Sequence, residues 1–179
     1  MKVRLRRAEP ADVDFLLELA THESVDPYMS VARARDRESL LDEIERSNLE
    51  PQESGRFLIE VEEDGGWLRA GTMAFKLSNR RNRIVSLGGL AVHPRFRGRR
   101  LADEAARLLQ RHLLFELDYH RLELECYGFN EGAIRHAERA GFVREGVKRK
   151  AYWRHGGWTD GVVFGLLKED LEKAEARSS

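Results

Sequence analysis

Charged and apolar residues alternate with period two from Lys2 to Arg7, which predicts an opening strand. Pro10 stands where a missing N–H costs nothing, and Val13, Leu16, Leu17 and Ala20 form the apolar stripe of a helix that begins there. From Thr21 to Ala34 the period is lost. Leu40, Leu41 and Ile44 then mark a second, short helix whose other face is acidic. Arg56 to Glu62 and Trp67 to Leu77 alternate on either side of Asp64-Gly65-Gly66, residues that tolerate positive φ and suit a hairpin. After the polar turn Arg80-Arg81-Asn82-Arg83, the run Ile84 to Val92 is nearly all apolar, the pattern of a strand buried on both faces at the centre of its sheet.

Beyond Pro94 the period turns helical, with Leu101, Ala105, Leu108, Leu109 and His112 on one side, and predicts a helix from about Arg99 to Leu117. His120 to Tyr127 reads as a strand and Glu131 to Ala140 as a helix stopped by Gly141. Phe142 to Trp153 and Trp158 to Leu167 pair across His155-Gly156-Gly157 as a final hairpin. The charged tail from Lys168 is expected to be a loose helical turn. The order β-α-α-β-β-β-α-β-α-β-β predicts an α/β (α+β layered) fold with a mixed sheet, one domain over residues 1–167 and a polar tail over 168–179.

Composition narrows the function classes. A chain of 179 residues with 41% apolar content suits one domain with a sizeable core. Lys plus Arg and Asp plus Glu both count 31, so no net charge draws the molecule to nucleic acid or an anionic membrane, and any electrostatic function is local. Cys126 is the only cysteine, which excludes an internal disulfide and a thiolate zinc site and fits a reducing cytoplasm. The basic start Met1 to Arg7 lacks the apolar region of a secretory signal, and the longest apolar stretch, Gly161 to Leu167, is far short of a bilayer span. A soluble protein is expected. His112, His120 and His136 have no ligand spacing, so no metal is assigned.

The chemistry concentrates where a buried strand stops at Pro94 and a basic loop opens into a helix, with four arginines in positions 95 to 100. The first N–H groups of a helix lack internal partners and carry partial positive charge, so such a loop binds anions. Gly98 lets the backbone approach a phosphate closely. The loop lacks G-x-x-x-x-G-K-[ST], and no G-x-G-x-x-G follows a strand, so ATP and NAD fit poorly.

The hexamer Arg97-Gly98-Arg99-Arg100-Leu101-Ala102 resembles the pyrophosphate loop [QR]-x-x-G-x-[GA] of the GCN5-related N-acetyltransferase (GNAT) family, with Arg100 replacing the inner glycine. A second block, Asn130-Glu131-Gly132-Ala133-Ile134 with Glu138-Arg139-Ala140-Gly141-Phe142, is similar to that family's N-x-x-A-[IV] helix and its ending. The opening Leu5 to Asp12 and the closing Gly157 to Phe164 resemble its Rim-like subgroup, and the likeness covers essentially the whole chain. The resemblance implies a mostly antiparallel sheet of about seven strands, helices on both faces and a splayed central strand pair that admits acetyl-CoA. It implies that Leu90 and Val92 pair with the pantetheine arm and that the amides from Arg97 or Gly98 through Arg99, Arg100, Leu101 and Ala102 hold the pyrophosphate. Asn130, with Ala133 in the same motif, would face the cofactor, although an asparagine there is also a favoured N-cap. Arg100 is expected to keep ordinary helical angles and to add a charge that glycine lacks.

The implied reaction is attack of a neutral amine on the thioester, with the Val92 N–H as oxyanion donor. The family's general-acid tyrosine falls on Ala137 here, beside His136. Glu125 is the expected base and Tyr127 a polar neighbour of the thioester. Glu123, Glu125 and Tyr127 alternate with Leu122, Leu124 and Cys126, so they either line the cleft or face water. His93 reads as a strand-end residue. Substrate contacts are expected from the Thr21 to Ala34 loop and the terminal hairpin, through His22, Glu23, Asp26, Tyr28, Trp153 and Trp158. The acceptor is a small-molecule amine or a protein N-terminus, and a homodimer is compatible with this reading. Two other readings are a non-catalytic acyl-CoA sensor, suggested by Ala137 and Arg100, and nucleic-acid binding through the arginine loop.

Overall fold

In the computed structural model, which describes residues 2–29 and 36–178, strand β1 spans Val3–Arg7 and helix α1 Val13–Thr21 after a 3-10 turn at Pro10–Asp12. Helix α2 covers Arg37–Leu49, β2 Ser54–Glu63, β3 Gly66–Asn79, β4 Ile84–Val92 and α3 Leu101–Arg111. Then come β5 at Arg121–Tyr127, α4 at Glu131–Arg139, β6 at Val143–Arg154, β7 at Gly157–Leu167 and α5 at Lys168–Ser178. The hydrogen-bonded strand order is β1-β2-β3-β4-β5-β7-β6. The β1–β2, β2–β3, β5–β7 and β6–β7 ladders are antiparallel and β4–β5 is parallel, which is the mixed, mostly antiparallel seven-stranded sheet expected.

The chain forms two compact units, Met1–Leu77 with Leu87–Leu109 and Ser78–Ser86 with Gln110–Ser179. In the first, Ala8, Val13, Leu16, Leu40, Ile44 and Leu58 make one buried cluster, so the apolar stripes of α1 and α2 meet β2 as their periodicity requires. Val61, Ala70, Phe96 and Leu101 make another, against which Val92 packs. The β2–β3 register shifts between Ile59 and Glu60, whose partners are Gly71 and Arg69, so Ala70 is an extra residue on β3. The Ala70 carbonyl accepts the His93 N–H at 2.8 Å, which ties the end of β4 to the bulge.

Asp12 is the electrostatic knot of this unit. It is 1% exposed and takes two bonds from the Arg6 guanidinium, at 2.9 and 3.0 Å, another from Arg69 at 2.9 Å, and the Glu9 N–H at 2.8 Å. Burial alone would raise its pKa, but the Arg6 hydrogen bonds, the Glu9 amide and the charges of Arg6 and Arg69 outweigh burial and hold it below the ordinary value. A carboxyl depressed in the folded state stabilises fully above its unfolded pKa, about 3.9, and loses that contribution as pH falls through the lower folded value. Urea midpoints of the wild type are therefore expected to drop steeply below about pH 4. Asp12→Asn is expected to be less stable at pH 7 by about 3 kcal/mol and flatter in acid. Equal acid slopes for the two proteins would count against this account.

In the second unit, Leu122, Phe164 and Leu166 are fully buried, and Leu113 and Leu114 are buried in a single π-helical turn, His112–Glu116, that follows α3. The helix expected from Arg99 to Leu117 is therefore shorter and changes pitch. Its start is delayed to Leu101 because Gly98 and Arg100 have φ of +77° and +58°, which no α-helix accommodates. The π turn brings Leu113 and Leu114 inward, in place of the expected His112, which is partly exposed and bonds Glu116 at 2.7 Å.

Two further expectations are corrected. The tail is an 11-residue helix, α5, rather than a loose turn, with Leu171 3% exposed and the Asp170 carboxylate accepting the Leu167 N–H at 3.0 Å. The apolar run of β4 is not buried throughout. Val85 and Ala91 are buried, whereas Leu87 to Leu90 are half-buried, because Gly88 and Gly89 carry no side chain and the parallel register to β5 covers only Ile84–Ser86 with Arg121–Glu123. Gly89, at φ +61°, breaks the strand's regular path within β4.

Candidate active site

The loop after β4 is built by side chains that tie it down and backbone groups that it leaves open. His93 Nδ1 accepts the Arg95 N–H at 3.3 Å and Phe96 is buried, so Pro94–Phe96 forms a 3-10 turn. The Arg97 guanidinium donates to the carbonyls of Val92, at 3.2 Å, and Ser24, at 3.3 Å. Arg95 and Arg99 both pair with Glu63 and lie over the Phe96 ring, at 5.2 and 5.5 Å. Three of the four loop arginines are thus occupied by the protein itself. The Arg100 guanidinium has no hydrogen-bond or ion-pair partner among the described residues.

The backbone is the opposite case. The N–H groups of Gly98, Arg100, Leu101 and Ala102 close no hydrogen bond among the described residues, while the Arg100 carbonyl already accepts from Asp103 and Glu104 at 3.2 and 3.3 Å. A Cβ built on Gly98 would meet nothing within 4 Å, so this face of the loop is open. Unpaired amides at a helix start, beside left-handed residues, form an anion-binding nest. The expectation of helical angles at Arg100 is overturned: φ is +58°, the conformation glycine would adopt, at a cost of about 1 to 2 kcal/mol for a residue with a Cβ.

Val92 is half-buried, and strand alternation turns its N–H away from β3, since the neighbouring His93 N–H points to Ala70. His22 caps the end of α1 and accepts from the Ser24 N–H at 3.2 Å. Glu23 is exposed and Tyr28 is 50% exposed. Asp26 opens a short 3-10 turn, Asp26–Tyr28, and residues 30–34 of the expected substrate loop lie outside the described residues.

In the second unit, Glu125 is held from two sides. Its Oε1 accepts the Tyr152 hydroxyl and its Oε2 the Lys148 ammonium, each at 2.7 Å. Glycine at 161 permits this, because a Cβ there would stand 2.1 Å from Glu125 Oε1 and 2.8 Å from Tyr152 Cε2. The side chain crosses β7 through that gap to reach β6. Gly165 opens a second gap, through which Arg121 reaches Glu145 at 2.8 Å. Burial first, then the bond to Glu125 and the charges nearby, push the Tyr152 phenol up to about 12, so it remains a donor at neutral pH.

Tyr127 neither faces water nor shares Glu125's exposure. It is 9% exposed, stacked on Phe129 at 5.3 Å and edge-on to Tyr152 at 5.2 Å, beneath the Arg154 guanidinium. Glu123 is partly exposed and bonds Arg121 at 2.8 Å. Burial and the Glu125 charge push the Cys126 thiol up to about 11, so it is protonated at neutral pH. Trp153 and Trp158 are cross-strand partners, edge-on at 5.3 Å and about 60% exposed. Trp153 follows Tyr152 in β6, so alternation places it on the opposite face from the Glu125 cluster. Tyr152 is the residue that sequence reasoning missed. Its signal was weak, because a pairing irregularity between Lys148 and Tyr152 sets the register that puts both on Glu125.

Asn130 is the N-cap of α4, its Oδ1 accepting the Ala133 N–H at 3.1 Å. Of the two roles left open for it, capping is therefore occupied. Ala137 is 1% exposed.

The family model described as "Acetyltransferase (GNAT) domain" matches residues 2–143. The SPbeta prophage-derived uncharacterized N-acetyltransferase YokL of Bacillus subtilis (strain 168) is 36% identical over 83 residues, 46% of this chain and 47% of that protein. The match thus spans about half the length of that curated relative. In fold, the chain is similar to the spermidine N-acetyltransferase of Vibrio cholerae in complex with CoA and spermine, with TM-score 0.80 and 19% identity over 95% of this chain and 98% of that one. A point mutant of the Vibrio cholerae spermidine N-acetyltransferase SpeG superimposes with TM-score 0.78 and 20% identity over 99% of this chain and 98% of that one. With the strand order, the short β4–β5 register and the amide nest after β4 in place, the match over most of the chain establishes that this protein belongs to the acetyltransferase (GNAT) family.

Proposed function

We propose that the protein transfers the acetyl group of acetyl-CoA to a primary amine, a small molecule or a protein N-terminus, by direct attack in a ternary complex. GNAT acetyltransferases take their acetyl group from acetyl-CoA, and the observation that carries the reading is the set of unpaired amides at Gly98, Arg100, Leu101 and Ala102. These amides hold the pyrophosphate, and Leu90 and Val92 lie along the pantetheine arm. Val92 N–H polarises the thioester carbonyl, a donor worth about 3 kcal/mol of barrier when well placed. Its support is the turn of that N–H away from β3. Asn130 and Ala133, at the start of α4, are included as further cofactor contacts.

Glu125 takes the amine's proton, directly or through water, and Tyr152 and Lys148 fix the orientation of its carboxylate. Tyr127 is a neighbour of the reacting thioester. His22, Glu23 and Tyr28 remain the proposed acceptor contacts, whereas Trp153 and its cross-strand partner Trp158, on the face opposite the Glu125 cluster, are withdrawn from that role. The spermine of the Vibrio cholerae complex makes polyamines one class to test. The Rim-like subgroup and a cytoplasmic setting belong to the same proposal, resting on the terminal segments and the single cysteine.

Two measurements test it. Acetyl-CoA is expected to raise the melting temperature, by about 2.7 kcal/mol of stabilisation at a hundredfold excess over Kd, with NAD and ATP doing less. Thiol release from acetyl-CoA is then followed with polyamines, amino acids, aminoglycosides and peptides bearing a free N-terminus. Release with one class identifies the acceptor, whereas a thermal shift with no release from any amine favours the sensor. Tyr152→Phe is expected to lower kcat about fivefold, on the order of one hydrogen bond, with KM for acetyl-CoA unchanged. An unchanged kcat would remove Tyr152 from the account.

A further inference from the structure

In the first unit a small cavity separates α1 and α2 from the sheet. Its walls are apolar, with Leu16, Leu19 and Leu40 among them, except where Thr72 of β3 and Arg56 of β2 line it. The cavity volume is about 10 Å³, room for one water-sized group. Ala20, Met29 and Ala91 also line it and keep 8 to 9% exposure, so they mark its outer edge. Arg56 is 4% exposed and incompletely paired. Its Nη2 donates to Glu43 at 2.5 Å, and its Nη1 reaches the Thr72 hydroxyl oxygen only at 3.4 Å. The buried Nε has no hydrogen-bond partner among the described residues. The Thr72 hydroxyl proton is committed to the Phe57 carbonyl at 2.8 Å, so what the polar wall offers is a guanidinium N–H.

A buried donor with no acceptor is costly, and folded proteins seldom leave one unanswered. Glu43 already balances the Arg56 charge, so what the Nε–H lacks is one oxygen lone pair. A carbonyl or a single carboxylate oxygen supplies it and fits a water-sized space. An ammonium group cannot, because it has only N–H donors, as a guanidinium does, and carries the same charge. The position of the cavity gives that oxygen a use. Ala91 immediately precedes Val92, whose N–H is the proposed donor to the thioester, so the space lies one residue from the reacting carbonyl. An amine with an oxygen two carbons away can present both groups there at once. A water held by Nε is replaced at little cost by a ligand oxygen that makes the same bond.

Resting on the acetyl-transfer reading above, we propose that this cavity is a specificity subsite for the acceptor, in which Arg56 Nε donates to an oxygen carried beside the acceptor's amino group. The acceptor class is then an amine with a neighbouring carbonyl or carboxylate, such as an amino acid, its amide or a peptide, and amines without such an oxygen, polyamines included, are poor substrates.

The test is kcat/KM, followed by thiol release from acetyl-CoA and corrected for the neutral-amine fraction, for glycinamide, glycine and glycylglycine against the oxygen-free ethylenediamine and spermidine. The wild type is expected to prefer at least one oxygen-bearing amine by about tenfold or more, the scale of one charge-assisted hydrogen bond. A preference led by glycine assigns the oxygen to a carboxylate, and one led by glycinamide or glycylglycine to a carbonyl. Arg56→Met removes the donor, and Ala20→Ile fills the cavity while leaving Arg56 in place. In each, the ratio of oxygen-bearing to oxygen-free amine should fall to within about twofold of unity, with KM for acetyl-CoA unchanged. Melting temperatures show whether the variants are folded, and if neither is, the wild-type ratio alone decides. A wild type that uses ethylenediamine or spermidine as well as every oxygen-bearing amine would show that the cavity holds an internal water only, and would overturn the inference while leaving acetyl transfer standing. Folded variants that keep the ratio, or that lose both amines equally as a merely structural change does, would also overturn it. Thiol release with no amine at all would overturn the acetyl-transfer reading, and this inference with it.

Discussion

Gly98→Glu is expected to weaken acetyl-CoA binding about a hundredfold, close to 2.7 kcal/mol, while leaving the fold intact. The two halves of this prediction have separate physical origins. Because a Cβ at residue 98 meets nothing within 4 Å, the substitution collides with no protein atom. Its structural cost is limited to holding a non-glycine residue at φ +77°, about 1 to 2 kcal/mol. The functional cost is larger, because the new carboxylate occupies the open face toward which the amides of Gly98 to Ala102 direct their partial positive charge. Gly98→Ala separates the terms, since it carries the backbone strain without the charge. Arg95→Ala is the contrasting variant: Arg95 is exposed, 3.5 Å from Glu63, and its loss removes only a screened charge. Titration of the three variants with acetyl-CoA should rank Gly98→Glu far below Gly98→Ala, with Arg95→Ala near the wild type. Similar losses in Gly98→Glu and Arg95→Ala would show that side-chain charge, rather than the amide nest, holds the cofactor.

What could be read from the chain divides along physical lines. Features set by neighbours in sequence were legible: the hairpin at His155-Gly156-Gly157, the stop at Gly141, the cap at Asn130 and the strand-loop-helix order around Pro94. Features set by distant partners were not. The charge of the loop looked like four available arginines, but Glu63, on β2, takes two of them, and Ser24 draws a third. The backbone at Arg100 was expected to be helical because arginine disfavours positive φ, and the fold overrides that preference. Glu125 was legible as a carboxylate on the fifth strand, yet its partners Lys148 and Tyr152 depend on a pairing irregularity in β6 and on the missing side chain of Gly161. A glycine in a strand is usually read as a weak point. Here it is the gap that lets a carboxylate on one strand reach its hydrogen-bond donors two strands away.

Gly71 makes the same point with a larger expected effect. It lies in β3 opposite Ile59, next to the bulge at Ala70, and is followed by the buried Thr72. A Cβ on it would stand 2.4 Å from the Ala91 carbonyl oxygen and 3.2 Å from the Val92 Cα, both backbone atoms of β4, and 3.3 Å from Ile59 Cδ1. No rotamer change can relieve a contact with backbone, so in Gly71→Ala the two strands must separate or the ladder must slip. Overpacking of this kind is expected to cost about 3 kcal/mol, which for a chain of this size lowers the melting temperature by about 6 to 12 °C. Gly157→Ala is the matched control, since nothing stands within 4 Å of its Cβ and its φ is not in the left-handed range; its melting temperature should stay near that of the wild type. The displaced atoms give the prediction a second readout. Val92 supplies the proposed oxyanion donor, and its carbonyl anchors Arg97 at the base of the nest, so a shift of its Cα disturbs both the thioester contact and the pyrophosphate loop. Acetyl transfer by folded Gly71→Ala, measured well below its melting point, should therefore fall in kcat as well as in affinity for acetyl-CoA. A variant that melts with the wild type would show that β3 and β4 tolerate the extra atom. One that is destabilised yet turns over normally would show that the position of Val92 does not set the rate.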